Sequence, residues 1–234
     1  MEPGPERRLC LIGRGFRAER MTDTGRDRIA ELEAETERLL ARLREVDHRI
    51  KNDLQLINSI FVLQQRKTPE GPEREIVRGA LDRVGAVSAV HRRLDVMDDP
   101  KRFEASDLLR DLAEDAVGNA RREDVRLELD LSPVEVATRQ AAPLALILGE
   151  LVRNSLKHAF PGCPGAIRVT FGAEGNLVRL TVQDDGVGLP AGLAAPRGFG
   201  ATLVALLAQQ LRGEAEVRAG EPGVVTVVSF PRST

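Results

Sequence analysis

The sequence predicts an α+β protein in which a helical hairpin precedes a two-layer α/β sandwich. Apolar residues recur at heptad spacing through the first part of the chain, which is typical of a helix that packs along a partner helix. Two prolines and a glycine between Lys67 and Pro72 end that pattern. After residue 105 the period changes, and Val125–Leu131 alternates apolar and charged residues as a half-buried strand does. Helices and strands mixed in this way favour a sandwich of about 130 residues.

Composition excludes several classes of protein. The 234 residues are 42% hydrophobic and 30% charged, as in one or two ordinary soluble domains. A net charge of −2 and the absence of Trp and Tyr argue against nucleic-acid binding. Cys10 and Cys163 lie far apart and form no metal motif, and no apolar run approaches the roughly 20 residues of a membrane span. We therefore expect a cytoplasmic protein that binds neither nucleic acid nor membrane.

The first long helix is predicted from about Arg26 to about Gln65. Its seam consists of two apolar series interrupted by Asp53, namely Ile29, Thr36, Leu43, Ile50 and Ile57 at one heptad position and Leu32, Leu39, Val46 and Ile60 at the other. A second helix, from about Glu73 to about Asp95, completes an antiparallel hairpin. One hairpin cannot bury both apolar stripes, so the sequence predicts a homodimer held by a four-helix bundle.

The rest of the chain supplies the elements of the sandwich. They are a helix at about Ser106–Arg121 capped by Ser106, the strand Val125–Leu131, an apolar helix at about Gln140–Ala159, a hairpin of Val169–Phe171 and Leu177–Val182, a loop over Asp185–Gly198, a helix at about Ala201–Leu211, and strands near Ala215–Arg218 and Val224–Phe230. The predicted domains are a flexible tail over 1–25, which is a candidate docking segment, the hairpin over 26–97, a linker over 98–105 and the sandwich over 106–234.

His48 is the residue of the hairpin that is best placed for chemistry. It lies at heptad position f, furthest from the seam, and Arg44, Glu45, Lys51 and Asn52 share its face of the helix. A surface histidine among charges is usually only solvated. Histidine is also the side chain best able to act as a neutral nucleophile near physiological pH. His48 is therefore a candidate nucleophile.

One apolar helix of the sandwich carries a polar stripe formed by Glu150, Asn154, Lys157 and His158, which share a face. Polar groups on a buried helix need partners, because an unpaired group costs on the order of 1–3 kcal/mol. A metal-bound triphosphate would supply them. The amide oxygen of Asn154 suits Mg²⁺, and the Lys157 ammonium group suits phosphate oxygens.

Two glycine motifs follow this helix. In the first, Asp184 ends a strand and Gly186 and Gly188 allow a ligand to approach the backbone closely. Its carboxylate could accept a hydrogen bond from an exocyclic amine such as that of adenine. In the second, Gly198, Gly200 and Thr202 open a helix whose free N–H groups form a phosphate cradle. Each motif alone is weak, but their order and spacing after a histidine-bearing hairpin predict a nucleotide site.

These residues together resemble the sensor histidine kinases with an H-R-x-K-N phosphoacceptor signature, which are related to the HWE group. His48–Gln55, which includes Arg49, resembles the phosphoacceptor segment, and Glu150–Phe160 resembles the N box. The two glycine motifs resemble the glycine boxes of the same family. The resemblance implies a Bergerat-type ATP-binding domain that uses ATP and Mg²⁺. It also implies that His48 takes the γ-phosphoryl group of ATP.

Further expectations follow from the resemblance. The phosphoryl group would pass to an aspartate in the receiver domain of a separate response regulator, and a separate sensor protein could act upstream. Glu45 or Asp47 would orient the imidazole of His48. Three alternatives remain open, namely a serine/threonine kinase of the anti-sigma type, a phosphotransfer hub with a weak ATP domain, and an ATPase of the chaperone or mismatch-repair kind in which Glu150 activates water.

Overall fold

The computed structural model describes residues 23–94, 101–120, 122–189 and 198–232. The tail predicted over 1–25 lies outside these residues except for its last three, which belong to the first helix. Residues 98–100 of the predicted linker and residues 190–197 of the predicted glycine-rich loop also lie outside them.

Helix α1 (Asp23–Lys67) extends beyond its predicted bounds at both ends. Glu, Arg, Leu, Ala, Lys and Gln, which are strong helix formers, supply more than half of its residues. The chain divides into two units, 1–49 and 50–234, within this helix. The seam side chains are exposed, with Leu39 at 53% and Leu43 at 61%. Within the described residues nothing covers this stripe, and the four-helix dimer stays a prediction.

Helix α2 (Pro72–Leu94) follows a short turn. Proline suits the first helical position because its φ is already helical, and Glu73 and Glu75 in the first turn favour the positive end of the helix dipole. Ala86 and Val90, one helical turn apart, are buried. They give the helix one apolar face.

Two short strands were not predicted. Strand β1 (Arg102–Glu104) pairs antiparallel with β3 (Glu135–Ala137), so part of the predicted linker is a strand. Helix α3 (Ser106–Ala120) starts as predicted, but Ser106 is its first residue and not its cap. The Ser106 backbone N–H donates to Oε1 of Glu104 at 2.6 Å, so a strand carboxylate satisfies the helix end.

The main sheet has five strands in the order β2-β4-β5-β7-β6. These strands are β2 (Val125–Leu131), β4 (Gly165–Glu174), β5 (Leu177–Asp184), β6 (Glu214–Ala219) and β7 (Val224–Pro231). Strands β2 and β4 are parallel and the other pairs are antiparallel. Parallel neighbours need a crossover, which helix α4 (Thr138–His158) supplies. Helix α5 (Phe199–Gln210) connects β5 to β6.

Helices α3, α4 and α5 form the second layer over this sheet. The core consists of alternating strand residues and the apolar face of α4, including Ile167, Val169, Leu180, Phe230, Leu144 and Ile147. Helix α2 packs against α3 and α4. This architecture confirms the predicted α+β class and its two-layer sandwich. Every helix within the described residues is too short or too polar to cross a lipid bilayer.

Candidate functional site

The four side chains of the polar stripe of α4 differ in solvent exposure, which increases towards the end of the helix. Glu150 is 2% exposed, Asn154 is half-buried, and Lys157 and His158 are exposed. The Asn154 side chain makes no hydrogen bond within the described residues, so its amide oxygen is available to a ligand. The predicted stripe therefore offers one unbound oxygen beside one deeply buried carboxylate.

Two guanidinium groups satisfy the Glu150 carboxylate. Arg83 of α2 donates from Nε to Oε1 at 2.7 Å, and Arg153 donates from Nη2 to Oε2 at 2.5 Å. The Arg83 guanidinium also lies over the ring of Phe199, with its carbon 4.6 Å from the ring centre. Both carboxylate oxygens of Glu150 therefore act as hydrogen-bond acceptors. The sequence did not point to Arg83, Arg153 or Phe199.

The second glycine motif meets α4 directly. A Cβ atom at Gly200 would lie 2.8 Å from Oε2 of Glu150 and 3.4 Å from both terminal atoms of Asn154, so this close approach requires glycine. Gly198 precedes the helix with a φ of 121°, and no side chain caps the helix. The Thr202 hydroxyl donates to the Gly198 carbonyl at 3.2 Å. The first amides of α5 therefore lie next to Glu150 and Asn154, and their role as a phosphate cradle stays a prediction.

Asp184 of the first glycine motif is 5% exposed and accepts three hydrogen bonds. The Ser155 hydroxyl donates to Oδ2 at 3.0 Å, and the backbone N–H groups of Gly186 and Val224 donate to Oδ1 at 3.2 Å each. All three partners are donors, so the carboxylate is held as an acceptor. A carboxylate has about four acceptor positions, which leaves room for a ligand amine. Ser155 was missed because a helical serine carries no sequence signal of its own.

The turn between β6 and β7 borders the same carboxylate. Gly223 has a φ of +90°, and a Cβ atom there would overlap the Asp184 carbonyl. The next residue, Val224, donates to the Asp184 side chain. At Gly188, the last residue of the first motif, φ is +76°. Two loops therefore form the sheet end around Asp184. Only the loop that follows β5 carries a glycine motif.

Lys157 and His158 lie at the last turn of α4. Lys157 lines a groove of about 560 Å³ together with Arg153 and Asp82. Burial raises the pKa of Asp82, although nearby arginines oppose the effect. Partial burial of the ring, and then the charges of Lys157 and Arg153, lower the pKa of His158, which keeps its imidazole neutral at neutral pH. Direct contact of either residue with a nucleotide stays a prediction.

His48 and its neighbours lie on α1. His48 and Asp47 are exposed, as heptad position f requires for His48. Glu45 accepts a hydrogen bond from Arg49 at 2.5 Å one turn along the helix, so its carboxylate already has a partner. Lys51 is half-buried and Asn52 is exposed. The roles of these residues stay predictions.

The donor set also fits a magnesium nucleotide. No group of three acidic, histidine or cysteine side chains that could hold a metal by itself occurs within the described residues. Mg²⁺ is commonly bound by one or two protein oxygens, substrate phosphates and water. The unbonded Asn154 oxygen beside the α5 amides suits that arrangement, as the sequence predicted.

Comparisons with known proteins agree with this geometry. Residues 45–120 match a family model described as histidine kinase, and residues 139–234 match one described as histidine kinase-, DNA gyrase B-, and HSP90-like ATPase. Sensor histidine kinase PdtaS of Mycobacterium tuberculosis is 30% identical over 199 residues, which are 82% of this chain and 39% of that protein. Blue-light-activated histidine kinase 2 of Erythrobacter litoralis is 27% identical over 222 residues, 90% of this chain and 62% of that protein.

A solved structure shows the same fold. The histidine kinase domain of a blue-light activated histidine kinase from Erythrobacter litoralis superimposes with a TM-score of 0.62 at 20% identity, over 76% of this chain and 96% of that domain. This chain spans less than two thirds of either relative named above. Through the two matched regions, the chain belongs to the histidine kinase family.

Proposed function

We propose that this chain is an ATP-dependent protein-histidine kinase that phosphorylates its own His48. The observation that carries the proposal is the meeting of α4 and α5 at Gly200. There the available oxygen of Asn154 and the buried Glu150 adjoin the uncapped amides of a helix. The relatives named above are histidine kinases, and the matched histidine kinase region includes His48.

The sandwich residues would bind and orient the nucleotide. Asp184 would accept the adenine amine, the α5 amides would hold phosphate oxygens, and Asn154 would hold Mg²⁺. When bound, Mg²⁺–ATP supplies the γ-phosphoryl group together with a divalent charge that offsets phosphate repulsion. Phosphoryl transfer requires positioning and charge neutralisation from the protein more than covalent help.

His48 would supply the nucleophile. A neutral imidazole nitrogen forms a bond to the γ-phosphorus while the phosphorus–oxygen bond to ADP breaks, and the imidazole proton passes to solvent. Asp47 or Glu45 would orient the ring, with Glu45 itself fixed by Arg49. The product is a phosphoramidate on α1, and ADP leaves from the sandwich.

The whole protein's partners are part of the same proposal. The phosphoryl group would pass to an aspartate in the receiver domain of a response regulator, which regenerates unphosphorylated His48. The exposed seam of α1 supports a homodimer. A cytoplasmic location and an upstream sensor protein remain expectations from the sequence.

The experiment is incubation with γ-labelled ATP and Mg²⁺, followed by treatment with acid or alkali. A phosphoramidate loses its label in acid, because its protonated nitrogen leaves readily, and survives alkali. A phosphoserine or phosphothreonine ester is stable in acid. His48→Ala should remove the label without altering nucleotide affinity, and the matched control His91→Ala should keep it. An acid-stable label, or one that persists in His48→Ala, would overturn the proposal.

A further inference from the structure

Three arginines of α2 reach the sandwich at different places. Arg78 donates from Nη2 to the Asn119 carbonyl at 2.7 Å, and Arg93 pairs with Asp107 and Asp111 of α3. Arg83 donates to Glu150 of the predicted nucleotide site. Of these three, only Arg83 contacts a residue of the nucleotide motifs. Helix α2 therefore offers one arginine with a contact in the site and, in Arg93, a natural control whose ion-pair partners lie on α3.

The cluster around Glu150 carries an excess of positive charge. Two guanidinium groups, from Arg83 and Arg153, surround the Glu150 carboxylate. Arg78 and Asp82 interact electrostatically with the same cluster and add one charge of each sign, so a net charge of about one positive unit remains. Nε of Arg153 is buried and makes no hydrogen bond within the described residues, so the cluster retains a spare donor. Without Arg83, the pair of Glu150 and Arg153 would be neutral.

The effect of this charge on a bound anion depends on where the cluster lies. Oε2 of Glu150 would be 2.8 Å from a Cβ atom at Gly200, which is the second residue of α5. Without Arg83, the Glu150 carboxylate would be offset by Arg153 alone, and the attraction of the cluster for phosphate groups at the helix end would be lost. Arg83 also stacks on Phe199, the first residue of α5. Arg83 therefore contacts α4 through Glu150 and α5 through Phe199.

We propose that Arg83 is a positioning residue for nucleotide phosphates. Acting through Glu150 and Phe199, it makes the floor of the phosphate cradle attractive to anions, although it belongs to a helix outside the sandwich. The inference rests on the proposed nucleotide binding and adds a residue that none of the nucleotide motifs contains. It also means that α2 contributes to nucleotide affinity through a charge and not only through packing.

The test measures nucleotide affinity of the full chain by calorimetry, with Mg²⁺ present, for AMP, ADP and the non-hydrolysable analogue AMP-PNP. Arg83→Gln keeps a donor for Glu150 but removes the charge, and Arg83→Lys keeps the charge. Arg83→Gln should weaken AMP-PNP binding about tenfold, and AMP binding much less, because the lost attraction grows with phosphate charge. Arg83→Lys should recover most of the loss, and Arg93→Gln should bind like the unsubstituted chain.

Salt gives a second readout, because ions screen a charge effect. The gap between Arg83→Gln and the unsubstituted chain should narrow as salt increases. Three results would show a purely structural role and overturn the inference. They are equal losses of affinity for AMP and AMP-PNP, a difference in affinity that salt leaves unchanged, and a matching loss in Arg93→Gln. If the unsubstituted chain binds none of the three nucleotides, the proposed function fails, and the inference fails with it. Thermal melting of each variant confirms that the compared proteins are folded.

Discussion

The Ser155 hydroxyl donates to Oδ2 of Asp184 across 3.0 Å, and both residues are buried. Ser155 follows Asn154 directly on α4. One helix therefore carries the proposed magnesium ligand and, at the next position, a side chain that supports the proposed adenine acceptor. The two proposed recognition residues depend on adjacent positions of α4.

Replacing Ser155 with alanine tests that support. Asp184 would keep its two backbone donors but lose the third, and a buried hydrogen bond to a charged group contributes about 1.5–3 kcal/mol. We expect Ser155→Ala to lower both the melting temperature and ADP affinity in calorimetry. The exposed Ser59→Ala on α1 is the control. Equal behaviour of the two variants would show that Asp184 does not depend on Ser155.

Asn154→Ala removes the proposed side-chain ligand of Mg²⁺. The unsubstituted chain should bind ATP more tightly with Mg²⁺ than with a chelator, and Asn154→Ala should lose that difference. Because Asn154 makes no hydrogen bond within the described residues, its loss should change the melting temperature little. Asn119→Ala, on the exposed side of α3, is the matched control. An undiminished magnesium effect in Asn154→Ala would contradict the assigned metal position.

The apolar seam of α1 predicts that the chain forms a dimer. Leu39→Glu combined with Leu43→Glu should convert a dimer into monomers, because charges would replace apolar side chains at the centre of the bundle. Light scattering at micromolar concentration measures the mass. Leu206→Glu is the control, since Leu206 on α5 is 58% exposed, close to the 61% of Leu43, and lies outside the seam. A monomeric unsubstituted chain would rule out the proposed bundle.

A cross-strand pair predicts a pH dependence of stability. Glu128 of β2 is opposite Arg168 of β4 in register, and the hydrogen bond from Arg168 lowers the pKa of Glu128. Because the folded pKa lies below the unfolded value of about 4.3, the pair stabilises the fold at neutral pH and ceases to do so as pH falls through the folded pKa. Glu128→Gln should therefore lower the melting temperature slightly at pH 7 and not in strong acid. A deficit that persists in acid would point to packing.

Elements with a strong local period were predictable. The heptads of α1 and the alternation in Val125–Leu131 each encode their structure within a few residues, and β2 has the predicted bounds. Strands β1 and β3 could not be predicted, because each has three residues and no period, and their pairing joins Arg102 to Ala137 across α3 and β2. The Ser106 cap was wrong because the helix begins one residue too early for it: the Leu109 N–H donates to the Ala105 carbonyl, so Ala105 holds the cap position.

The residues of the site likewise divide into those that a local sequence pattern marks and those that it does not. Glycines with carboxylate or amide neighbours mark the nucleotide motifs in the sequence, because close backbone approach requires glycine. Arg83 and Glu150 lie 67 positions apart in the sequence. No local pattern indicates which arginine of α2 contacts Glu150. Side chains that act through another residue become visible only when the fold brings them together.

The β6–β7 turn places a constraint on how this chain can vary. Surface turns usually tolerate insertions and substitutions more freely than the elements they join. Here Gly223 has no room for a side chain, and Val224 is hydrogen-bonded to Asp184. An insertion in this turn would displace Val224 and thereby disturb Asp184, the proposed base-recognition carboxylate, from outside both glycine motifs. Under the proposed role of Asp184, purine selectivity would be open to change at a hairpin tip about 40 residues downstream.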